Sequence, residues 1–274
     1  MPELPEVETT LQGIRPVLEG QPILHALVRV PTLRLPTPAA SALQGHTFTN
    51  FRRRNKYILA ESDNGTSLLL HLGMSGRLTL TTPHSPLLKH DHILLRTAQH
   101  EVRFHDPRRF GLVLILPTPT LAQHPLLAGI GPEPLTPAFS ATYLRQALQG
   151  KSIPIKAAIM SGKLVAGVGN IYASESLFTA RIHPLQPAQT LTAVQCKALV
   201  AAIRTTLTAA IAAGGSTLKD FSHTTGQLGY FQHQFAVYGR KGQPCPTCTT
   251  PLTTQVVAQR STFWCPACQP LTNG

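Results

Sequence analysis

Apolar residues recur at helical spacing at the start of the chain and again through its second half, with a long β-patterned stretch between. Leu4, Val7, Leu11 and Ile14 predict a helix from Glu3 to about Val17, with Pro16 ending or bending it. From Ile23 to Leu116 the periodicity shortens. Leu24–Val30, Tyr57–Glu61, Ser67–Leu72, Gly76–Thr81, His92–Thr97, Glu101–His105 and Leu112–Leu116 read as strands, separated by turn residues such as Asn64-Gly65. That many strands suggests two packed sheets. Residues 31–45 are proline-rich and irregular, and 82–91 reads as a long loop.

A second proline-rich stretch, 117–137, reads as a linker, and beyond it the pattern is helical. Ala141–Leu148, Ile155–Met160, Ile171–Ala180 and Thr192–Ala213 are the predicted helices. In the last, Val200, Ile203, Leu207 and Ile211 share one face, Thr190 or Thr192 can cap the start, and Gly214-Gly215 stops it. Val165-Ala166-Gly167-Val168-Gly169-Asn170 lies between the second and third helices. Its glycines permit a tight turn with exposed backbone N–H groups, which can cradle a phosphate. Thr217–Gln234 is polar and reads as a mobile loop suited to binding.

The chain has 274 residues, enough for two or three domains. Its net charge is +12, and arginine supplies 16 of the 24 basic residues. Arginine forks phosphate oxygens in pairs, so this balance points to nucleic acid. The acidic N-terminus lacks the apolar run of a signal peptide, and no apolar stretch of about 18 residues predicts a membrane span. With five cysteines and no export signal, a disulfide framework is disfavoured, and Cys196 reads as a small core residue.

The other four cysteines form the strongest local motif. Cys245-Pro-Thr-Cys248 and Cys265-Pro-Ala-Cys268 stand 16 residues apart, as in a four-thiolate zinc site. Four sulfurs close the tetrahedron, so this zinc holds structure and a zinc enzyme is disfavoured. Gln259-Arg260-Ser261-Thr262 lies between the two knuckles, where a hairpin tip can carry an arginine to DNA.

Met1-Pro2-Glu3-Leu4-Pro5-Glu6-Val7-Glu8 opens the chain and admits two readings. In one it is only a helix start, with a proline in the first turn and acids at the positive end of the dipole. In the other, Met1 is removed and Pro2 carries a free secondary amine. An α-amino group has a pKa of about 8 against about 10.4 for lysine, so part of it is nucleophilic at neutral pH. Its adduct with an aldehyde is a charged iminium, an electron sink, and Glu3 and Glu6 are at hand for acid–base work.

Taken in order, further segments join these features: Asn55-Lys56-Tyr57, His71-Leu72-Gly73-Met74-Ser75-Gly76, Lys89-His90-Asp91-His92, Asp106-Pro107-Arg108-Arg109-Phe110-Gly111, Val168-Gly169-Asn170-Ile171-Tyr172 and Val237-Tyr238-Gly239-Arg240. With them the chain resembles the formamidopyrimidine-DNA glycosylase family nearly end to end. The resemblance implies an α+β multidomain fold: an N-terminal helix plus β-sandwich (1–117), a linker (118–135), a helix–two-turns–helix domain (136–220), a lesion-covering loop region (221–235) and a zinc-finger β-hairpin (236–270). It implies excision of oxidised purines from duplex DNA, cleavage of the abasic strand, one structural zinc, a monomer, and a bacterial cytosolic or nucleoid location.

The implied roles fall on matching positions. Pro2 is the nucleophile, Glu3 the acid for sugar-ring opening, Lys56 the lysine linked to β-elimination and Arg260 the arginine linked to δ-elimination. His90, Arg108, Lys151 and Asn170 match DNA contacts. Met74, Arg108 and Phe110 match the residues that fill the gap left by an extruded base, and Glu6 and Glu175 line the lesion pocket. Two rivals stay open: an endonuclease VIII-type enzyme for oxidised pyrimidines, which usually has glycine where Leu4 stands, and a non-catalytic zinc-ribbon DNA-binding protein. Asn55, where the family often has a small residue, and Pro154, at an expected helix start, depart from the pattern.

Overall fold

A computed structural model describes residues 1–216 and 231–271, which pack as two compact units. The first holds Met1–Ala128 and the described part of Ala213–Gln232; the second holds Gly129–Ala212 and the chain from His233 onward. Of the loop expected over a lesion, residues 217–230 lie outside the described residues.

The first unit begins with α1, Leu4–Leu18, whose face Leu4, Val7, Leu11, Ile14 and Leu18 is buried. Pro16 does not end it. The proline stands in the last turn, where its missing N–H forfeits a single bond, and the Glu19 N–H still reaches Arg15 O at 2.9 Å. Eight strands follow: β1 His25–Val28, β2 Phe48–Arg54, β3 Tyr57–Ser62, β4 Thr66–His71, β5 Arg77–Thr81, β6 Asp91–Arg96, β7 Glu101–His105 and β8 Leu112–Pro117. They form two antiparallel sheets ordered β1-β6-β7-β5 and β2-β3-β4-β8. Both sheets and α1 share one core, with Leu11, Phe48, Phe51, Ile58, Leu70, Ile93, Phe104 and Val113 inside it. The short helix α2, Pro125–Ala128, closes the unit.

Seven of the eight strands match the runs predicted from patterning; β2 does not. Its two core residues, Phe48 and Phe51, are three apart, which breaks strict alternation. A register shift between Phe48 and Asn50 resolves this by turning both rings inward. The rest of β2 is the basic run Arg52-Arg53-Arg54, tolerable because the strand lies at a sheet edge. The 82–91 loop is tied down: Arg103, buried in β7, donates to Ser85 O (2.6 Å) and Pro86 O (2.7 Å).

The second unit contains α3 Ala141–Leu148, α4 Ile155–Met160, α5 Asn170–Thr179, α6 Ala193–Ala212 and the hairpin β9 Thr253–Val257 with β10 Arg260–Trp264. Pro154 is the N-cap of α4, where a missing N–H costs nothing, and its carbonyl accepts from Ala158 N–H at 3.0 Å. Thr192 caps α6 reciprocally: its hydroxyl takes Gln195 N–H and the Gln195 side chain takes Thr192 N–H. α6 is long and apolar enough by length and composition to cross a membrane. In the fold its Cys196, Leu199, Ile203 and Leu207 are buried, and Arg204 donates to Pro134 O, Thr136 O and Phe139 O, as befits a core helix.

Because Phe48 is fully buried at an edge strand, Phe48→Ala leaves a cavity that β2 must collapse upon. The substitution is expected to destabilise the protein by about 3–5 kcal/mol, read as a lowered urea midpoint at unchanged slope.

Candidate active site

The start of α1 and four turns of the first unit carry its candidate residues. Pro2 and Glu3 are buried at the start of α1. Glu3 is the N-cap and exchanges hydrogen bonds with Glu6, whose Oε2 accepts Glu3 N–H at 2.8 Å. The other Glu6 oxygen accepts from Ser216 N–H (2.8 Å) and Ser216 Oγ–H (2.9 Å). Nearby, Phe231 N–H reaches Gly215 O at 3.2 Å. The helix-start reading of the opening stretch thus holds, and Pro2 lies buried directly before the capped turn.

Arg53 on β2 donates to Glu8 at 2.8 Å, fixing the β2–β3 hairpin to α1. The hairpin closes in two residues, Asn55 and Lys56, with Asn55 at φ 57°. Asparagine tolerates that left-handed conformation better than most side chains, which accounts for it beside Lys56. His71 lies across from Tyr57, and its Nδ1 accepts Gly73 N–H at 3.0 Å. Burial, with Lys56 and Arg34 nearby, lowers the His71 pKa to about 4, so the ring is neutral at neutral pH.

Met74 and Phe110 are exposed at 41% and 46%. They stand on two turns that touch through glycine. A Cβ on Gly73 (φ 69°) would lie 2.4 Å from the Phe110 carbonyl carbon. The Arg108 guanidinium lies over the Phe110 ring, 4.8 Å from its centre. Beneath them Asp106, wholly buried, accepts from Ser75 Oγ–H and Gly111 N–H, each at 2.7 Å. His90 packs edge-on against the His92 and His105 rings.

In the second unit Lys156 is 1% exposed, and its Nζ donates to Asn170 Oδ1 (2.6 Å), Thr262 Oγ1 (2.7 Å) and Ser261 O (3.1 Å). One cation thereby joins the glycine turn at α5 to β10, the strand that Arg260 begins. Asn170 Nδ2 also donates to Ser261 O and faces the Tyr238 hydroxyl at 3.4 Å. Glu175, buried on α5, accepts backbone N–H bonds from Ala236, Val237 and Tyr238 at 2.8–3.0 Å. Burial raises its pKa, and those three donors oppose the rise. Arg260 is exposed just after Ala258 and Gln259, both at positive φ. Lys151 is exposed beside Ile153, Lys163 and Tyr143 around one surface depression.

Sequence patterning missed Lys156 and gave Tyr238, within the Val237–Arg240 segment, no role. A lysine among Ile155, Ala158 and Ile159 was the available signal for the first: a charge among apolar helix positions has to find acceptors.

The four sulfurs of Cys245, Cys248, Cys265 and Cys268 lie within 4.8 Å of one another, three of the pairs at 3.4–3.9 Å. Tetrahedral zinc with Zn–S of about 2.3 Å needs sulfurs about 3.8 Å apart, so the donors fit Zn(II) and leave no open position. Gln269, fully buried, bridges the second knuckle to the end of α5: it accepts Cys265 N–H and donates to Ile182 O.

Comparison with known proteins agrees along the chain. The formamidopyrimidine-DNA glycosylase N-terminal domain matches residues 1–113, the H2TH domain of the same enzymes matches 130–222, and the zinc finger found in FPG and IleRS matches 242–271. The formamidopyrimidine-DNA glycosylase of Jannaschia sp. is 49% identical over 282 residues, covering 98% of this chain and all of its own. That of Thioalkalivibrio sulfidiphilus is 51% identical, with 98% and 100% covered. Among solved structures, MutM (Fpg) from Thermus thermophilus superposes with a TM-score of 0.89 at 39% identity, covering 99% of this chain and 100% of its own. A Lactococcus lactis Fpg variant bound to Fapy-dG DNA superposes at 0.91 with 33% identity, 98% and 100% covered.

Two outcomes are expected. His71 has a folded-state pKa below the ordinary 6.5, so the unfolded chain takes up the proton first. Its stabilisation is full above about pH 6.5 and is lost as pH falls towards 4. The loss is at most about 3 kcal/mol, and His71→Asn should remove that part of the pH dependence in urea titrations. Lys156→Met strands three oxygen acceptors. It should destabilise the second unit by about 3–5 kcal/mol, seen as early loss of amide protection in α5 and β10 by hydrogen exchange.

Proposed function

Since the chain belongs to the formamidopyrimidine-DNA glycosylase family, we propose that it excises oxidised purines, 8-oxoguanine and formamidopyrimidines, from duplex DNA and then cuts the abasic strand by β,δ-elimination. The observation that carries the reading is Pro2 seated beside Glu3 at a buried, reciprocally capped helix start. With Met1 removed, the Pro2 amine attacks C1′ of the extruded nucleotide. The base leaves with the bonding electrons and gains a proton, and Glu3 protonates the ring oxygen as the sugar opens. The resulting iminium acidifies C2′. Loss of that proton expels the 3′-phosphate, and a second elimination expels the 5′-phosphate.

Lys56 assists the first elimination from a two-residue hairpin turn, and Arg260 assists the second from the first position of β10. His90, Arg108, Lys151 and Asn170 bind DNA, and Met74, Arg108 and Phe110 occupy the vacated stack. Glu6 and Glu175 serve the lesion pocket by holding backbone: their oxygens already accept N–H bonds at Glu3 and Ser216, and at 236–238. In domain terms we assign 1–117 to catalysis, 118–135 to a linker, 136–220 to the helix–two-turns–helix region, 221–235 to the lesion-covering region and 236–270 to the zinc finger. The protein works as a monomer on chromosomal DNA in a bacterial cytosol.

A second reading has one observation behind it. Lactococcus lactis Fpg has been solved with DNA containing an oxidised pyrimidine. Excision of thymine glycol alongside 8-oxoguanine would extend the substrate range in that direction.

Borohydride should trap a covalent complex with abasic DNA. Retaining Met1 or acetylating Pro2 should abolish trapping and lower excision by at least about 10³-fold. Trapping that survives with a blocked terminus, verified by mass spectrometry, would remove Pro2 from the mechanism.

A further inference from the structure

We propose that Asp106 is a positioning residue for base extrusion, locking the Met74 turn and the Arg108–Phe110 turn into one preformed wedge; this rests on the glycosylase reading above. Packing alone does not fix Met74 or Phe110, since 41% and 46% of their surfaces stay exposed. What holds them is backbone, and the backbone is held by one carboxylate. Asp106 Oδ1 accepts Ser75 Oγ–H at 2.7 Å, from the residue after Met74, and Arg108 N–H at 3.3 Å. Asp106 Oδ2 accepts Gly111 N–H at 2.7 Å, from the residue after Phe110. Each of the three proposed wedge residues is therefore on, or next to, a residue bound by the same buried group.

The main chain of Asp106 is fixed as firmly. Its N–H donates to His90 O at 3.0 Å, and its carbonyl lies 2.8 Å from His92 Nε2. A carbonyl only accepts, so that nitrogen carries the proton. The two turns also meet without side chains between them. A Cβ on Gly73 would lie 2.5 Å from Gly111 N, and one on Gly111 would lie 2.3 Å from the Phe104 ring and 3.0 Å from Asp106 Oδ2. Packed that closely, one turn moves only with the other.

A wedge whose backbone is ordered before DNA arrives loses less entropy when it enters the stack. Its worth is greatest where stacking must be broken, as at a damaged base still paired in the duplex. It is least at an abasic site, where the gap already exists. That difference separates positioning of the wedge from a general role in stability or DNA binding.

The test compares two substrates in single-turnover assays: 8-oxoguanine opposite cytosine, and a preformed abasic site. Asp106→Asn keeps the shape but sets an amide NH2 against the Gly111 N–H on one side or the Arg108 N–H on the other. It should slow 8-oxoguanine excision about 10- to 100-fold while changing abasic-strand cleavage by less than about 3-fold. Ser75→Ala, which frees only the Met74 turn, should move the ratio the same way by about 3- to 10-fold. With 2-aminopurine beside the lesion, the fluorescence rise on extrusion should slow in step. Equal losses on both substrates, or no loss on either, would overturn the proposal; if Asp106→Asn does not fold, Ser75→Ala decides. Failure of the unsubstituted protein on both substrates would instead sink the glycosylase reading itself.

Discussion

A buried carboxylate ringed by backbone N–H groups is the interaction on which this structure depends. It recurs wherever a turn must hold a fixed shape without a core of its own. Glu6 gathers Glu3 and Ser216, Asp106 gathers Arg108 and Gly111, and Glu175 gathers Ala236, Val237 and Tyr238. A buried carboxylate loses its hydration, and two or three N–H donors offset the loss only if each sits near ideal distance. The geometry is therefore all or nothing, which is what a site built on short loops requires.

The same device shapes the electrostatics. Among the described residues six acids (Glu3, Glu6, Asp91, Glu101, Asp106 and Glu175) are buried. Glu8, Glu19 and Glu61 pair with Arg53, Arg15 and Arg52, and among the described residues Asp63 is the one exposed acid. Negative charge is spent on scaffolding, and the surface is left more basic than the composition suggests. A phosphate backbone meets arginines with few competing carboxylates.

In the second unit the polarity is reversed. Lys156, also buried, collects oxygens from Asn170, Ser261 and Thr262, so the glycine turn and the finger hairpin share one cation. The finger needs such help. Its buried cluster is Val237, Cys245, Leu252 and Cys265, with the cysteines themselves forming half of it. So small a core is stable only with zinc and with bonds such as those of Gln269 to Cys265 and Ile182.

Periodicity and spacing determined much on their own. Five helices, seven strands and the four-cysteine cluster were readable because each rests on local rules: one face per helix, alternate faces per strand, fixed spacing for a tetrahedral metal. The candidate residues could be named only through the resemblance to a known family, whose short motifs carry them in order. The strand β2 was not readable, because a bulge cancels its alternation and Arg52-Arg53-Arg54 looks like a loop. Nor were the partners of Asp106, Glu175 and Lys156. Those bonds join residues 31, 61 and 106 positions apart, and only the packed chain decides which buried charge meets which turn. Local propensity has no term for that choice; desolvation in the assembled core does.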